Sequence, residues 1–234
     1  MNRLFTALFA FAVACVTGLA HAQAPSPAAS QAGATQPAAP AGANVQAKVA
    51  MCMGCHNIPG YRASFPEVYS VPMIAGQSAK YIAAALHAYQ NGDRKHPTMR
   101  GIATTLTDQD ITAIADYYAA LGKEGGKPLG DQLARQPDAQ VSGLMQKAAC
   151  VSCHGPNLSR PIDPSYPKIS GQHADYLFAA LKAYKTENNP SMGRSNGVMG
   201  AIAKQFSNAE LKALARYVGS LDSELHVKPE SRFR

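Results

Sequence analysis

Cys52-Met53-Gly54-Cys55-His56 and Cys150-Val151-Ser152-Cys153-His154 repeat one pattern, Cys-x-x-Cys-His, and it restricts the fold more than any other stretch of the chain. Five cysteines and seven histidines in 234 residues would produce that pattern by chance roughly 0.003 times. Two occurrences therefore need a chemical reason. The pattern suits covalent attachment of a c-type haem: each thiol forms a thioether with one haem vinyl group, and the adjacent imidazole lies under the iron. A thioredoxin-like Cys-x-x-Cys needs no His there, and a zinc ribbon needs a second ligand pair per site. Cys52, Cys55, Cys150 and Cys153 are thus the expected attachment points of two covalently bound haem c groups. His56 and His154 are the expected proximal iron ligands.

The N-terminus points to export. Met1-Asn2-Arg3 is a short basic start, Leu4 to Leu19 is almost wholly apolar, and Ala20-His21-Ala22 has the small residues a signal peptidase reads. Residues 1–22 are read as a secretory signal peptide, which places the mature protein in the periplasm. Beyond it no segment is long and apolar enough to cross a bilayer. Cys15 leaves with the signal, and the four remaining cysteines all sit in the two motifs, with none to spare for disulfides. Residues 23–44 are rich in Ala, Pro and Gln and carry no charge, so they are expected to form a disordered spacer.

The rest of the chain repeats itself. Cys52 and Cys150 lie 98 residues apart; Pro72, Ile74, Gly76, Gln77, Tyr81 and Tyr89 recur 95 residues on; Met99 and Ile102 recur 100 residues on. Short insertions fall between elements that keep register, which marks one module used twice. The expected domains are 45–122 and 138–225, with a Gly- and Pro-bearing linker at 123–137 and a tail at 226–234. Each module is predicted to hold three helices. The first is about Ala47–Cys55 or Ala139–Cys153, and the second Ser78–Asn91, closed by Gly92, or His173–Thr186. The third opens at Thr107 or Ser207, each followed three residues later by an acid in a capping-box pattern. Gly122 and Gly219 are read as helix stop signals. Nothing alternates with period two for long enough to make a sheet, so the fold class is all-α. Modules this small lack a sufficient side-chain core, and a haem supplies the missing apolar bulk.

The sixth iron ligand of an electron-transfer cytochrome c is expected to be a methionine. Met51 and Met53 flank the first motif too closely to reach the far haem face. Met73 and Met192 have no counterpart in the other repeat, whereas Met99 and Met199 correspond, each on an apparently irregular stretch eight residues before a helix cap. Met99 and Met199 are the expected axial ligands, with Met192 the competitor in the second module. The Pro72 and Pro167 carbonyls are candidate acceptors for the proximal imidazoles. Gln77, Gln172, Tyr81 and Tyr176 are read either as helix-start residues or as partners of the haem propionates.

On the two haem motifs, Pro-x-Ile-x-Gly-Gln at 72–77 and 167–172, the repeated tyrosines and the paired methionines, the chain resembles the tandem diheme class I cytochromes, the cytochrome c4 family in particular. The resemblance implies two class I cytochrome c domains related by a pseudo-two-fold axis, each wrapped around one covalent haem. It implies a periplasmic carrier of single electrons, from a quinol-oxidising cytochrome bc complex to a terminal oxidase. Residues 57–65 depart from the family's usual Gly-rich turn.

A dedicated cytochrome subunit of a periplasmic dehydrogenase is the alternative, and a diheme peroxidase a further one that would need an open iron site. A plausible methionine in both modules argues against the latter, and the role is read as electron transfer rather than enzyme catalysis. Export speaks against nucleic acid as the partner of this basic chain. Residues 46–122 hold six basic and five acidic side chains, and residues 139–222 hold nine and five. The second module is therefore expected to be the main dock for an acidic redox partner, through Lys182, Lys185 and Lys204 more than through Lys80, Arg94 and Lys95.

Overall fold

The computed structural model describes residues 41–124 and 128–229. The expected signal peptide and most of the expected spacer lie outside the described residues. In the first module α1 (Ala41–His56) carries the haem motif at its end. It begins before residue 45, so the stretch read as spacer gives its last four residues to the helix. Ala41, Ala43 and Ala47 are strong helix formers, but no apolar stripe announced them. A short hairpin follows, β1 (Arg62–Ala63) antiparallel to β2 (Tyr69–Ser70). Next comes α2 (Ala79–Asn91), which Ser78 caps and Gly92 closes at φ 87°, as its sequence predicts. Strand β3 (Arg94–Lys95) leads into α3 (Pro97–Ala103) and α4 (Asp108–Leu121).

The second module repeats the order of helices with its first helix broken and, among the described residues, no counterpart of the β1–β2 hairpin. Its first helix is split into α5 (Ala139–Ala148) and α6 (Cys150–His154) by Ala149, which takes φ 49° and ψ 37°. A left-handed residue other than glycine costs about 1–2 kcal/mol. Then come α7 (Ala174–Ala183), β4 (Gly193–Arg194), α8 (Gly197–Lys204) and α9 (Asn208–Gly219). Helix α7 stops short of Thr186, because Thr186-Glu187-Asn188-Asn189-Pro190 favours turns over helix.

Both capping boxes form: Thr107 with Asp110 opens α4, and Ser207 with Glu210 opens α9. The buried stripes they launch match position for position. Ile111, Ile114, Ala115 and Tyr118 pack on α1 and α2 in one module, and Leu211, Leu214, Ala215 and Val218 take the same places in the other. Met53 is core filler at 1 % exposure, in line with its exclusion as a ligand.

Gly122 and Gly219 stand at the ends of α4 and α9, as read, but neither takes the left-handed backbone of a glycine cap. Both keep helical backbone, and both stand where another chain segment passes. A Cβ on Gly122 would lie 1.9 Å from the Gly76 Cα, and one on Gly219 would lie 2.8 Å from the Ala174 Cβ. Gly76, at φ 90°, donates its N–H to the Tyr118 carbonyl at 3.1 Å, and Gly171 donates to that of Val218 at 2.9 Å.

A pseudo-two-fold seam joins the modules. The Gln77 amide donates to the Lys168 carbonyl at 3.0 Å and accepts from the Lys168 N–H at 2.9 Å. Gln172 does the same with the Met73 carbonyl and N–H, at 2.9 and 3.0 Å. Like the two patches of a symmetric dimer, each contact is returned by its mate. Strands β3 and β4 pair across the same seam. The β1–β2 hairpin, at the departure from the family turn, lies on α7: Asp175 accepts from Arg62 and from the Ser70 N–H and hydroxyl, and Lys182 pairs with Glu67. Of the segment read as a tail, His226 joins the fold, its N–H donating to the Ala75 carbonyl at 3.2 Å, and residues 230–234 lie outside the described residues.

Candidate haem sites

Each haem motif ends a helix, so its histidine leaves the helix pointing toward the segment that follows. The His56 Nδ1 lies 2.8 Å from the Pro72 carbonyl oxygen, and the His154 Nδ1 lies 2.9 Å from that of Pro167. A carbonyl only accepts, so Nδ1 carries the proton and the Nε2 lone pair is left for a metal. Burial lowers the pKa of both imidazoles, more than the proline carbonyls raise it, and so favours this neutral form. The two loops reach the same geometry over different lengths, 16 residues in the first module and 13 in the second.

None of the four motif cysteines is in a disulfide. Burial pushes the Cys52 thiol up to about 11 and raises Cys150 as well. A thioether carries no proton and suits the same surroundings.

The methionines sharpen the repeat. Met99 and Met199 are not on irregular chain, as expected from sequence, but on α3 and α8. These helices are too short to show periodicity, and Gly101 and Gly200 weaken their propensity. Each Met is the third helical residue, and the side chain of the cap accepts its N–H: His96 in the first module at 3.3 Å, Asn196 in the second at 2.9 Å. Met73 and Met192 are bound differently. The Met73 backbone is held by Gln172 at the seam, and the Met192 N–H donates to the Asn189 side chain.

A cavity of about 790 Å³ brings these residues together. Cys52, Cys55, His56 and Met99 line it from one module, and Cys150, Cys153, His154 and Met199 from the other. Met73 and Met192 also reach its wall. The remaining lining is largely apolar, with Ile82, Leu86 and Ile114 matched by Leu177, Leu181 and Leu214. No residue of α7 is fully buried, although Leu177 and Leu181 are apolar, because that face of the helix looks into the cavity. Folded interiors are close-packed, so an apolar space of this size calls for an apolar guest. Two flat haems held at the motif cysteines fit that demand.

Other expectations are refined. Gln77 and Gln172 hold the seam and also act at the helix starts, each side-chain carbonyl accepting the N–H of the following cap residue, Ser78 or His173. Tyr81 and Tyr176 accept hydrogen bonds from Arg94 and Arg194, both at 3.0 Å. The common spacing of Arg94/Arg194 and Met99/Met199 was a signal in the sequence that these arginines matter. The expected docking lysines have neighbours within the chain: Lys182 pairs with Glu67, Lys204 with the exposed Glu187, and Lys185 donates to the Phe206 carbonyl at 2.7 Å. Among the described residues no helix is long and apolar enough to cross a membrane.

Comparison with known proteins agrees with the geometry. The cytochrome c family model matches residues 139–222. Cytochrome c4 of Stutzerimonas stutzeri is 31 % identical over 75 % of this chain and 87 % of its own. The thiosulfate dehydrogenase electron acceptor of Thiomonas intermedia is 30 % identical over 74 % of this chain and 79 % of its own. The solved structure of Acidithiobacillus ferrooxidans cytochrome c4 superposes with a TM-score of 0.54 at 28 % identity, covering 74 % of this chain and 99 % of that one. With its repeated haem motifs, paired histidines and methionines and two class I domains, the chain belongs to the cytochrome c4 family, as a diheme electron carrier with two covalently bound haem c groups.

Proposed function

We propose that Cys52 and Cys55 hold one haem and Cys150 and Cys153 the other, with His56/Met99 and His154/Met199 as the axial pairs. The haems supply a reversible one-electron change at iron; the protein orients each imidazole through a proline carbonyl and excludes water with an apolar wall. The carrying observation is the equivalence of Met99 and Met199. Both sit at the third position of a capped helix on the cavity wall, while Met192 has no such counterpart.

The protein works in the periplasm as an electron-transfer protein without substrate chemistry of its own, exchanging electrons with partner proteins. A methionine on each iron leaves no open site for peroxidase chemistry. The relative named as an electron acceptor of thiosulfate dehydrogenase makes a periplasmic dehydrogenase a natural donor, beside a quinol-oxidising cytochrome bc complex, with a terminal oxidase as acceptor. Mass spectrometry of the exported protein should show two haems bound to the polypeptide. Met99→Ala and Met199→Ala should each abolish the methionine–iron absorption band of one haem and spare the other. A band lost in Met192→Ala and kept in Met199→Ala would overturn the second assignment, and rapid cyanide binding by the unaltered protein would overturn the closed-site reading.

A further inference from the structure

Arg94 and Arg194 hold equivalent places in the repeat, 100 residues apart, and the fold sets them together. In the β3–β4 pair, which crosses the seam between modules, Arg94 stands opposite Arg194. Each guanidinium donates to a tyrosine hydroxyl of its own module. Each also lies over two rings: Arg94 at 5.2 Å from the Tyr81 centroid and 5.8 Å from that of Tyr89, Arg194 at 5.5 Å from both Tyr176 and Tyr184. Neither forms an ion pair with a carboxylate of the described residues.

That arrangement is incomplete by itself. Like charges opposite each other on neighbouring strands are destabilising, and a half-buried cation without a counter-charge bears an uncompensated desolvation cost. Contacts with rings offset only part of that cost. Both arginines lie on the wall of the same cavity as the two haem motifs. Each haem brings two propionate carboxylates, and the planar guanidinium fork matches a carboxylate in two hydrogen bonds. The chemistry that is missing at the seam is the chemistry the guests carry.

We propose that Arg94 and Arg194 form one shared cationic seat for the propionates of both haems, and that this seat couples the two irons electrostatically. The proposal rests on the two-haem reading above. If the seat is shared, neutralising either arginine affects both haems. Loss of positive charge favours the oxidised, more positive iron, so both reduction potentials fall.

The test uses mature holoprotein with Arg94→Gln, Arg194→Gln and both together, titrated spectroelectrochemically, with haems counted by mass spectrometry on the same samples. Fewer than two haems in the unaltered protein would defeat the two-haem reading; two haems with unmoved potentials would defeat the seat alone. Each single variant should raise the oxidised-to-reduced ratio of both haems by roughly three- to tenfold at a fixed potential, and the double variant should do more. Arg94→Lys and Arg194→Lys keep the charge and should stay within about twofold of the unaltered protein. A shift confined to the haem of the altered module would overturn the sharing. Lysine variants that shift as far as the glutamine variants would show a packing role instead. Should the glutamine variants fail to load haem, the lysine variants decide: two haems at native potentials support the seat, and failed loading there too overturns it.

Discussion

The two modules solve one problem with unequal means. Both present a histidine to a proline carbonyl, a methionine at the third position of a capped helix, and a glutamine to the other module's backbone. They differ where the chain is free to differ. The first has a longer loop after its histidine, and the β1–β2 hairpin of that loop reaches across to α7. The second has a shorter loop and a first helix broken at Ala149. The histidines, candidate methionine ligands, seam glutamines and strand arginines come in matched pairs, because a fixed cofactor and a pseudo-two-fold contact impose the same demand twice. Residues that face only one side answer to no such demand.

The glycines should separate the modules most strongly. In Gly122→Ala the new methyl would meet the Gly76 backbone, where neither side can yield, and stability should fall by about 3 kcal/mol or more. In Gly219→Ala the new methyl would meet the Ala174 Cβ and the Gln172 carbonyl oxygen at 2.8 and 2.9 Å, looser contacts than at Gly122, so the loss should be smaller, about 1–2 kcal/mol. Guanidinium denaturation of the holoprotein measures both; equal losses would mean that the two crossings are equally tight.

The seam should show the opposite behaviour. Gln77→Leu strands the N–H and carbonyl of Lys168, and Gln172→Leu strands those of Met73. Each should cost about 2–3 kcal/mol, and the two costs should agree, because the lost bonds are the same. A large difference in denaturation midpoint would break the pseudo-symmetry.

Thr107→Ala and Ser207→Ala should each cost about 1 kcal/mol through loss of the helix cap. The first cap adds a pH dependence. The Thr107 N–H, followed by the Lys48 ammonium, holds the Asp110 carboxyl below the usual carboxylate range. A depressed folded-state pKa adds stability that is complete above the ordinary value near 3.8 and is lost as pH falls through the lower folded value. Asp110→Asn should therefore be less stable than the unaltered protein at neutral pH, with the gap closing below about pH 4.

The smallest effect should come from the hairpin clasp. Lys182→Ala breaks the pair with Glu67, which is partly exposed, and should change stability by less than about 1 kcal/mol. A larger loss would mean that the hairpin's ion pairs hold the modules together more than the buried glutamines do.

Much of the site was legible in the sequence because its signals are local. A Cys-x-x-Cys-His motif, a Ser or Thr three residues before an acid, and Gly92 after Asn91 each encode their structure within one or two helical turns. The helices bearing Met99 and Met199 escaped notice because seven or eight residues show too little periodicity, yet Pro97 at the start of α3 was a start signal. The neighbours of the lysines read as a docking face were hidden for another reason. Composition counts charges, but only the fold shows that Glu67 and Glu187 stand beside two of those cations.

By itself the sequence determined the chemistry and the repeat: two haem attachment sites, paired histidines and methionines, and helices whose caps and stripes follow from neighbouring residues. Only the tertiary structure decided which partner each repeated polar side chain takes. Gln77 finds Lys168 across 91 residues, Gln172 finds Met73 across 99, and Arg94 comes to face Arg194. Helix signals act over a few residues, where chain connectivity already holds the groups together. Contacts across the seam exist only once two folded modules dock, and the geometry of that docking is a property of both surfaces at once.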